Sequence, residues 1–268
     1  MNYYYLISSL PVIPEDFNAG ISESIEDLFD LIERNLTQKD KEYFRALLYQ
    51  NDNRNFLNLI FSEYHDFNSY FFRTPSVLSE DDLRSYRRNK SVLPGYMIDF
   101  LLDNSGVLGS YSLTDIEMKF RRYFVEYIDN LQSDFIKGYY EWQQHLKSTI
   151  AEVNQNKYPA LPMADMMQFD FGGARSTYSP IDKELKKEFR EMIESHNYIG
   201  LEQKVDSLYW DFANEQSEIF NTDAVLAYVI VLLRLSRWEQ VTESTDEDFN
   251  RLVDDLKKMD RSPKMSVV

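Results

Sequence analysis

Between Ser112 and Val153 the apolar side chains return every three or four residues: Leu113, Ile116, Phe120, Phe124, Tyr127, Leu131, Phe135, Tyr139, Trp142, Leu146, Ile150 and Val153. A strand buries alternate residues, so this rhythm dictates helix. Thr114-Asp115-Ile116-Glu117 has the form of a capping box at its start. About 40 residues rising about 1.5 Å each give a rod of about 60 Å, with Gly138 as the place for a kink. The predicted fold is mainly α: multi-helical and elongated, with one long helix near 112–153 and at most a short N-terminal strand. Only 8 Gly and 8 Pro punctuate the chain's 268 residues, which favours long elements over a many-stranded sandwich.

The opening Tyr3-Tyr4-Tyr5-Leu6-Ile7-Ser8-Ser9-Leu10 is rich in strand formers and is stopped by Pro11, so it reads as a short strand or an extended buried segment. Ser22 and Ser24 can cap a helix turning Ile25, Leu28, Phe29, Leu31 and Ile32 inward. Two further amphipathic stretches follow, at Thr37–Tyr49 and around Phe56–Tyr64. Ser79-Glu80-Asp81-Asp82 places acids at a helix start, and another helix is expected from Pro94. Helices resume at Ile181–His196 and Leu201–Phe220. Thr222 or Asp223 then caps an element apolar all round, Ala224–Leu233, for which a buried strand is the rival reading. A final amphipathic helix is expected over Asp246–Met259. Residues 1–153 form the predicted N-terminal helical part, 154–180 an ordered connecting loop, 181–260 the C-terminal part and 261–268 a frayed tail.

Charge and chemistry narrow the function classes. A formal charge of −16 repels phosphate backbones and anionic lipid, so nucleic acid is not an expected partner, and an acidic surface suits a basic protein. The densest basic group, Arg84, Arg87, Arg88 and Lys90, reads as a solvated face. The chain has no cysteine, which excludes disulfides and thiolate sites. Met1–Leu10 lacks a signal peptide's basic start, and the longest apolar run, Ala224–Leu233, is about half a bilayer crossing. A cytoplasmic protein without direct membrane insertion is expected.

The catalytic inventory is thin. His65, His145 and His196 have no metal-pair spacing, and Gly172-Gly173 is followed by Ala174-Arg175-Ser176 where a phosphate loop needs Lys and Ser/Thr. No catalytic residue, cofactor or metal ligand is predicted. The central loop leaves one alternative open: Asp165 and Asp170 beside Gly172-Gly173 could hold a divalent cation in a small-molecule-binding enzyme. Aromatic and methionine residues outside the helical rhythm are the better candidates, as partner-binding anchors. These are Tyr3, Tyr4 and Tyr5 at the start, with Met163, Met167, Phe169, Phe171, Gly172 and Gly173 in the loop.

Tyr3–Pro11 and Gln168-Phe169-Asp170-Phe171-Gly172-Gly173 resemble, over nearly the whole chain, an uncharacterised bacterial family encoded among V/A-type ATPase subunits in Bacteroidetes-like organisms. A weaker similarity, in Asp223–Arg234, is to the C (d) subunit of those rotary ATPases, a helical funnel joining the central stalk to the membrane ring. In that subunit an acidic pair follows the apolar stretch, where this sequence has Arg234 and Ser236. The resemblance implies a non-catalytic accessory or central-stalk component with other V/A-type ATPase subunits as partners, peripheral to the membrane through the complex. A free-standing helical adaptor is the remaining alternative.

Overall fold

The computed structural model describes residues 3–15, 20–65, 72–104, 106–157, 183–215 and 220–243. Among them the chain forms α-helices, two short 3-10 turns and no strand. The helices are α1 (Tyr4–Ser9), α2 (Ile25–Asn35), α3 (Gln38–His65), α4 (Glu80–Ser85), α5 (Gly95–Asn104), α6 (Leu113–Asn130), α7 (Asp134–Lys157), α8 (Lys183–Glu194), α9 (Tyr198–Asn214) and α10 (Thr222–Glu243).

The predicted strand at the N-terminus is instead the helix α1. Tyr3, Leu6, Ile7 and Leu10 stand at helical spacing, and that stripe faces the core. The Tyr3 amide donates to the Phe220 carbonyl, so a tertiary contact overrides the strand propensity of the tyrosines.

The single rod at 112–153 is also corrected: it is two helices broken at 131–133. Leu131 is extended, with φ −69° and ψ 139°. The Ser133 hydroxyl accepts the Ile136 amide at 3.2 Å, which caps the start of α7. The apolar rhythm runs on through the break because Leu131 stays buried. The expected kink at Gly138 gives way to this break. The capping box sits at Ser112 and Asp115, two residues before the expected one.

α3 is the reverse case: two expected helices fuse into one of 28 residues. Asn51, Asp52 and Asn55 lie between and at the edge of the two expected stretches, and their polar groups secure a neighbouring loop. Asp52 accepts the Val77 and Leu78 amides at 2.9 and 2.8 Å, and Asn51 donates to the Pro75 carbonyl. Asn55 clamps the Arg73 amide and carbonyl at 2.7 and 2.9 Å. Burial pushes the Asp52 carboxyl up to about 6, against those backbone hydrogen bonds, which favour the charged form.

Elsewhere the expected helices are present, with corrections in detail. Ser24 caps α2, on which Leu31 is exposed and not turned inward; a full capping box joins Ser79 and Asp82 at α4, and α5 begins one residue after Pro94. α9 ends at Asn214, short of the expected Phe220. Ala224–Leu233 lies within α10, which disposes of the strand reading; its cap is Asn221 and not Thr222 or Asp223, with Oδ1 accepting the Ala224 amide at 3.0 Å. No helix among the described residues is long and apolar enough to cross a membrane. The expected helix at 246–259, the tail, and the loop from 158 to 180 lie outside the described residues.

α3 and α7 run side by side in the same direction. Tyr43 Oη donates to the Gln132 carbonyl, Tyr140 Oη to the Ala46 carbonyl, and Gln143 Nε2 to Gln50 Oε1, each pair further along both helices. α6 lies antiparallel to α3, with ring pairs Tyr49–Tyr127 and Phe56–Phe120 at 5.8 and 5.2 Å. α9 packs on α7 through Trp142–Tyr209 and Phe135–Phe212. Residues before and after the central loop share one hydrophobic core. The aromatic wealth serves this core: offset and edge-on ring pairs contribute about 0.5–1.5 kcal/mol each beyond their burial.

Candidate functional site

Three helix starts converge beside α1. Thr37, Ser133 and Asn221 precede α3, α7 and α10, and residues from all three starts line an open concavity of about 480 Å³. Each start leaves amide groups pointing outward, so carboxylates are favoured there. Asp40, Asp134 and Asp223 occupy those first turns and line the concavity with Lys39.

Asp40 is the junction of this region. Tyr3 Oη donates to its Oδ2 at 2.5 Å, Thr37 Oγ1 to the same oxygen at 2.6 Å, and Thr222 Oγ1 to Oδ1 at 3.3 Å. Thr37 Oγ1 in turn accepts the Asp40 amide at 3.2 Å. Burial would raise the Asp40 pKa, but the hydroxyl hydrogen bonds prevail and hold it below the ordinary carboxylate range. Asp223 lacks comparable donors among the described residues, and burial, then Asp134 and Asp40, push its pKa up. Tyr3 is raised by burial and by its bond to Asp40.

This anchoring fixes what α1 displays. With Tyr3 and Leu6 inside, Tyr4 and Tyr5 are turned outward, 52% and 89% exposed. Tyr4 stacks edge-on against Phe220 at 4.9 Å and against Tyr5 at 5.7 Å. Phe220 is itself 41% exposed, and Val12, just beyond α1, is also exposed. The result is an aromatic patch held on a rigid mount. Rings fixed in this way lose little rotamer freedom when a partner covers them, the condition for an interface anchor.

The predicted partner-binding residues therefore divide. Tyr4 and Tyr5 lie in the patch, whereas Tyr3 is the buried peg that positions them. Met163, Met167, Phe169, Phe171, Gly172 and Gly173, and the alternative site at Asp165 and Asp170, lie outside the described residues. Phe220 was not anticipated as an anchor; standing at the end of an expected helix and next to a capping Asn, it carried no signal to set it apart from core aromatics. The basic group at 84–90 is answered locally, by Arg84–Glu80 and by Arg87–Glu63 at 2.6 and 2.8 Å. Among the described residues no group of three or more His, Asp or Glu side chains is arranged to hold a metal.

Fold and surface together define a multi-helical, all-α protein over its described residues. A family described as "Protein of unknown function (DUF2764)" matches residues 1–166 and 182–260, and the chain belongs to that family. No curated protein matches the chain, and no solved structure does.

Proposed function

We propose that this protein is a non-catalytic subunit of a V/A-type ATPase, an accessory or central-stalk component that joins the soluble head to the membrane sector through protein–protein contacts. The observation that carries the binding half of this reading is the mounted aromatic patch of Tyr4, Tyr5 and Phe220. Aromatic side chains are enriched among residues that dominate interface energy. Covering a ring such as that of Tyr5 contributes about 1.5–3 kcal/mol from apolar area alone. The assignment to this ATPase rests on the resemblance of Tyr3–Pro11 and Gln168–Gly173 and, more weakly, of Asp223–Arg234. A stiff helical body suits a load-bearing role, because close-packed interiors deform little.

Affinity purification of the intact ATPase from cells carrying tagged head subunits tests both halves. The chain is expected in the complex, and the double variant Tyr4→Ala, Tyr5→Ala should fall at least about tenfold in occupancy, the consequence of about 1.4 kcal/mol. Absence of the wild-type chain from an otherwise complete ATPase rejects the reading. Full retention of the double variant removes the patch from the interface.

A further inference from the structure

Cations gather where an acidic chain would not be expected to concentrate them. α3 and α7 run parallel with Gln50 and Gln143 in contact, so one turn further on Arg54 and Lys147 lie side by side. α6 crosses in the opposite sense; its Glu117 meets Arg54 at 3.5 Å, and Arg121 stands one turn away on the same face. Gln143 also bonds Tyr209, whose ring carries the Arg234 guanidinium at 4.5 Å. On the remaining side, Asn55 holds the backbone of Arg73, and Gln240 donates to the Thr74 carbonyl at 2.6 Å, which brings Arg237, one turn earlier on α10, alongside. Four helices and one loop thus bring Arg54, Arg121 and Arg234 close to Lys147, and Arg54 and Arg237 close to Arg73.

The charges there are incompletely answered. Glu117, Asp206 and Glu202 pair with Arg54, Arg234 and Arg237. Lys147 donates to Gln143 at 2.9 Å, and neither it nor Arg73 meets a carboxylate within ion-pair distance among the described residues. Lys147 is exposed to solvent, although the chain packs closely around its amine. Burial first, then Arg121, Arg234 and Arg54, push its pKa down to about 8, with Glu117 offsetting in part. Burial likewise lowers Arg73, with Arg54 and Arg237 adding to the effect. Holding like charges together in this way costs stability that a bound anion would return.

We propose that this cationic cluster around Lys147 binds a compact multivalent anion of the oligophosphate class, free or as the phosphate chain of a nucleotide. Guanidinium forks engage phosphate oxygens in pairs, and the ammonium among them supplies a point charge. Metal cations are repelled from such a ring. A long polyanion meets the field of the −16 chain outside it, whereas a short ligand lies wholly among the cations.

Isothermal titration calorimetry on the full chain tests the site, with inorganic tripolyphosphate, ATP and hexa-aspartate as titrants. Tripolyphosphate is expected to bind saturably. Lys147→Met and Arg73→Gln should each weaken it by about tenfold, the loss of one charge-assisted contact, while Arg88→Gln on the outer turn after α4 leaves it unchanged. ATP binding more tightly than tripolyphosphate identifies a nucleotide as the source of the phosphates; weaker ATP binding identifies free oligophosphate. Lack of saturation, equal affinity for hexa-aspartate, or indifference to both the Lys147→Met and Arg73→Gln substitutions overturns the proposal. Without any anion, Lys147→Met should raise the unfolding temperature by relieving repulsion; a merely structural lysine would lower it, and a lowered midpoint is a second refutation.

Discussion

The parallel pair α3 and α7 carries charge in two different ways along its length. At its start, acidic side chains sit where helix dipoles favour them, and Asp40 accepts hydrogen bonds from Tyr3, Thr37 and Thr222. Further along, around Arg54 and Lys147, cations crowd one another, and Lys147 is met by the side-chain amide of Gln143 where a carboxylate would answer it. The first arrangement is a satisfied joint that fixes α1 to the body. In the second, Lys147 and Arg73 meet no carboxylate within ion-pair distance among the described residues. A fold built for stability alone would distribute these cations over an acidic surface that could pair them, so the contrast separates what holds the molecule together from what is held in reserve.

The largest expected effect tests whether every cation of the cluster belongs to that reserve. Arg234 has a second task, because it pairs with Asp206, a side chain 2% exposed that also accepts Trp238 Nε1 at 2.5 Å. Removing one partner of a buried pair strands the other, at a cost of about 3–5 kcal/mol. Arg234→Ala should therefore unfold at much lower urea, while Arg73→Gln stays near wild type. A loss for Arg234→Ala below about 1 kcal/mol would erase the distinction between a structural and a reserved cation in this region.

Asp40 probes the other end. Asp40→Ala leaves three hydroxyl donors short of their acceptor and loosens α1, a loss of about 2 kcal/mol at neutral pH. Its folded pKa lies below that of the unfolded chain, so its contribution is complete above the unfolded value and fades as pH falls through the folded one. Urea titrations at neutral and strongly acid pH should show the gap between variant and wild type closing in acid. A gap that stays constant would mean that the Asp40 charge plays no part and that the neutral carboxyl serves the joint equally well.

Much of this architecture stood in the sequence. Local signals survived best: Ser24 before α2 and the Ser79–Asp82 box could be read from spacing because their chemistry is complete within one turn. The errors arose where a distant partner settled the outcome. Two expected stretches prove to be one helix whose Asn51, Asp52 and Asn55 side chains find the loop at 73–78, and the rhythm through Leu131 conceals a break because a buried residue need not be helical. For the candidate site, Tyr4 and Tyr5 were legible as aromatics outside the helical rhythm, but the burial of Tyr3 depends on Asp40, 37 positions away. The cationic cluster was invisible because its members come from five separate segments and the net charge points the other way.

The smallest expected effect lies away from both regions, at the turn between α8 and α9, and supplies the scale for the others. His196 closes α8 with φ at 60°, in the left-handed region where a side chain is strained. Its amide donates to the Ile193 carbonyl at 3.2 Å and the Asn197 amide to the Met192 carbonyl at 2.8 Å. This is the paired pattern usually completed by glycine. The His196–Tyr198 ring contact, at 6.0 Å, is all the side chain adds among the described residues. His196→Gly relieves the strain but widens the freedom of the unfolded chain, so a net gain of about 0.5 kcal/mol is expected, read as a small rise in the urea midpoint with unchanged slope. If the variant instead loses stability, the ring contact outweighs the backbone strain, and differences of that size elsewhere, including the rise expected for Lys147→Met, must be judged against it.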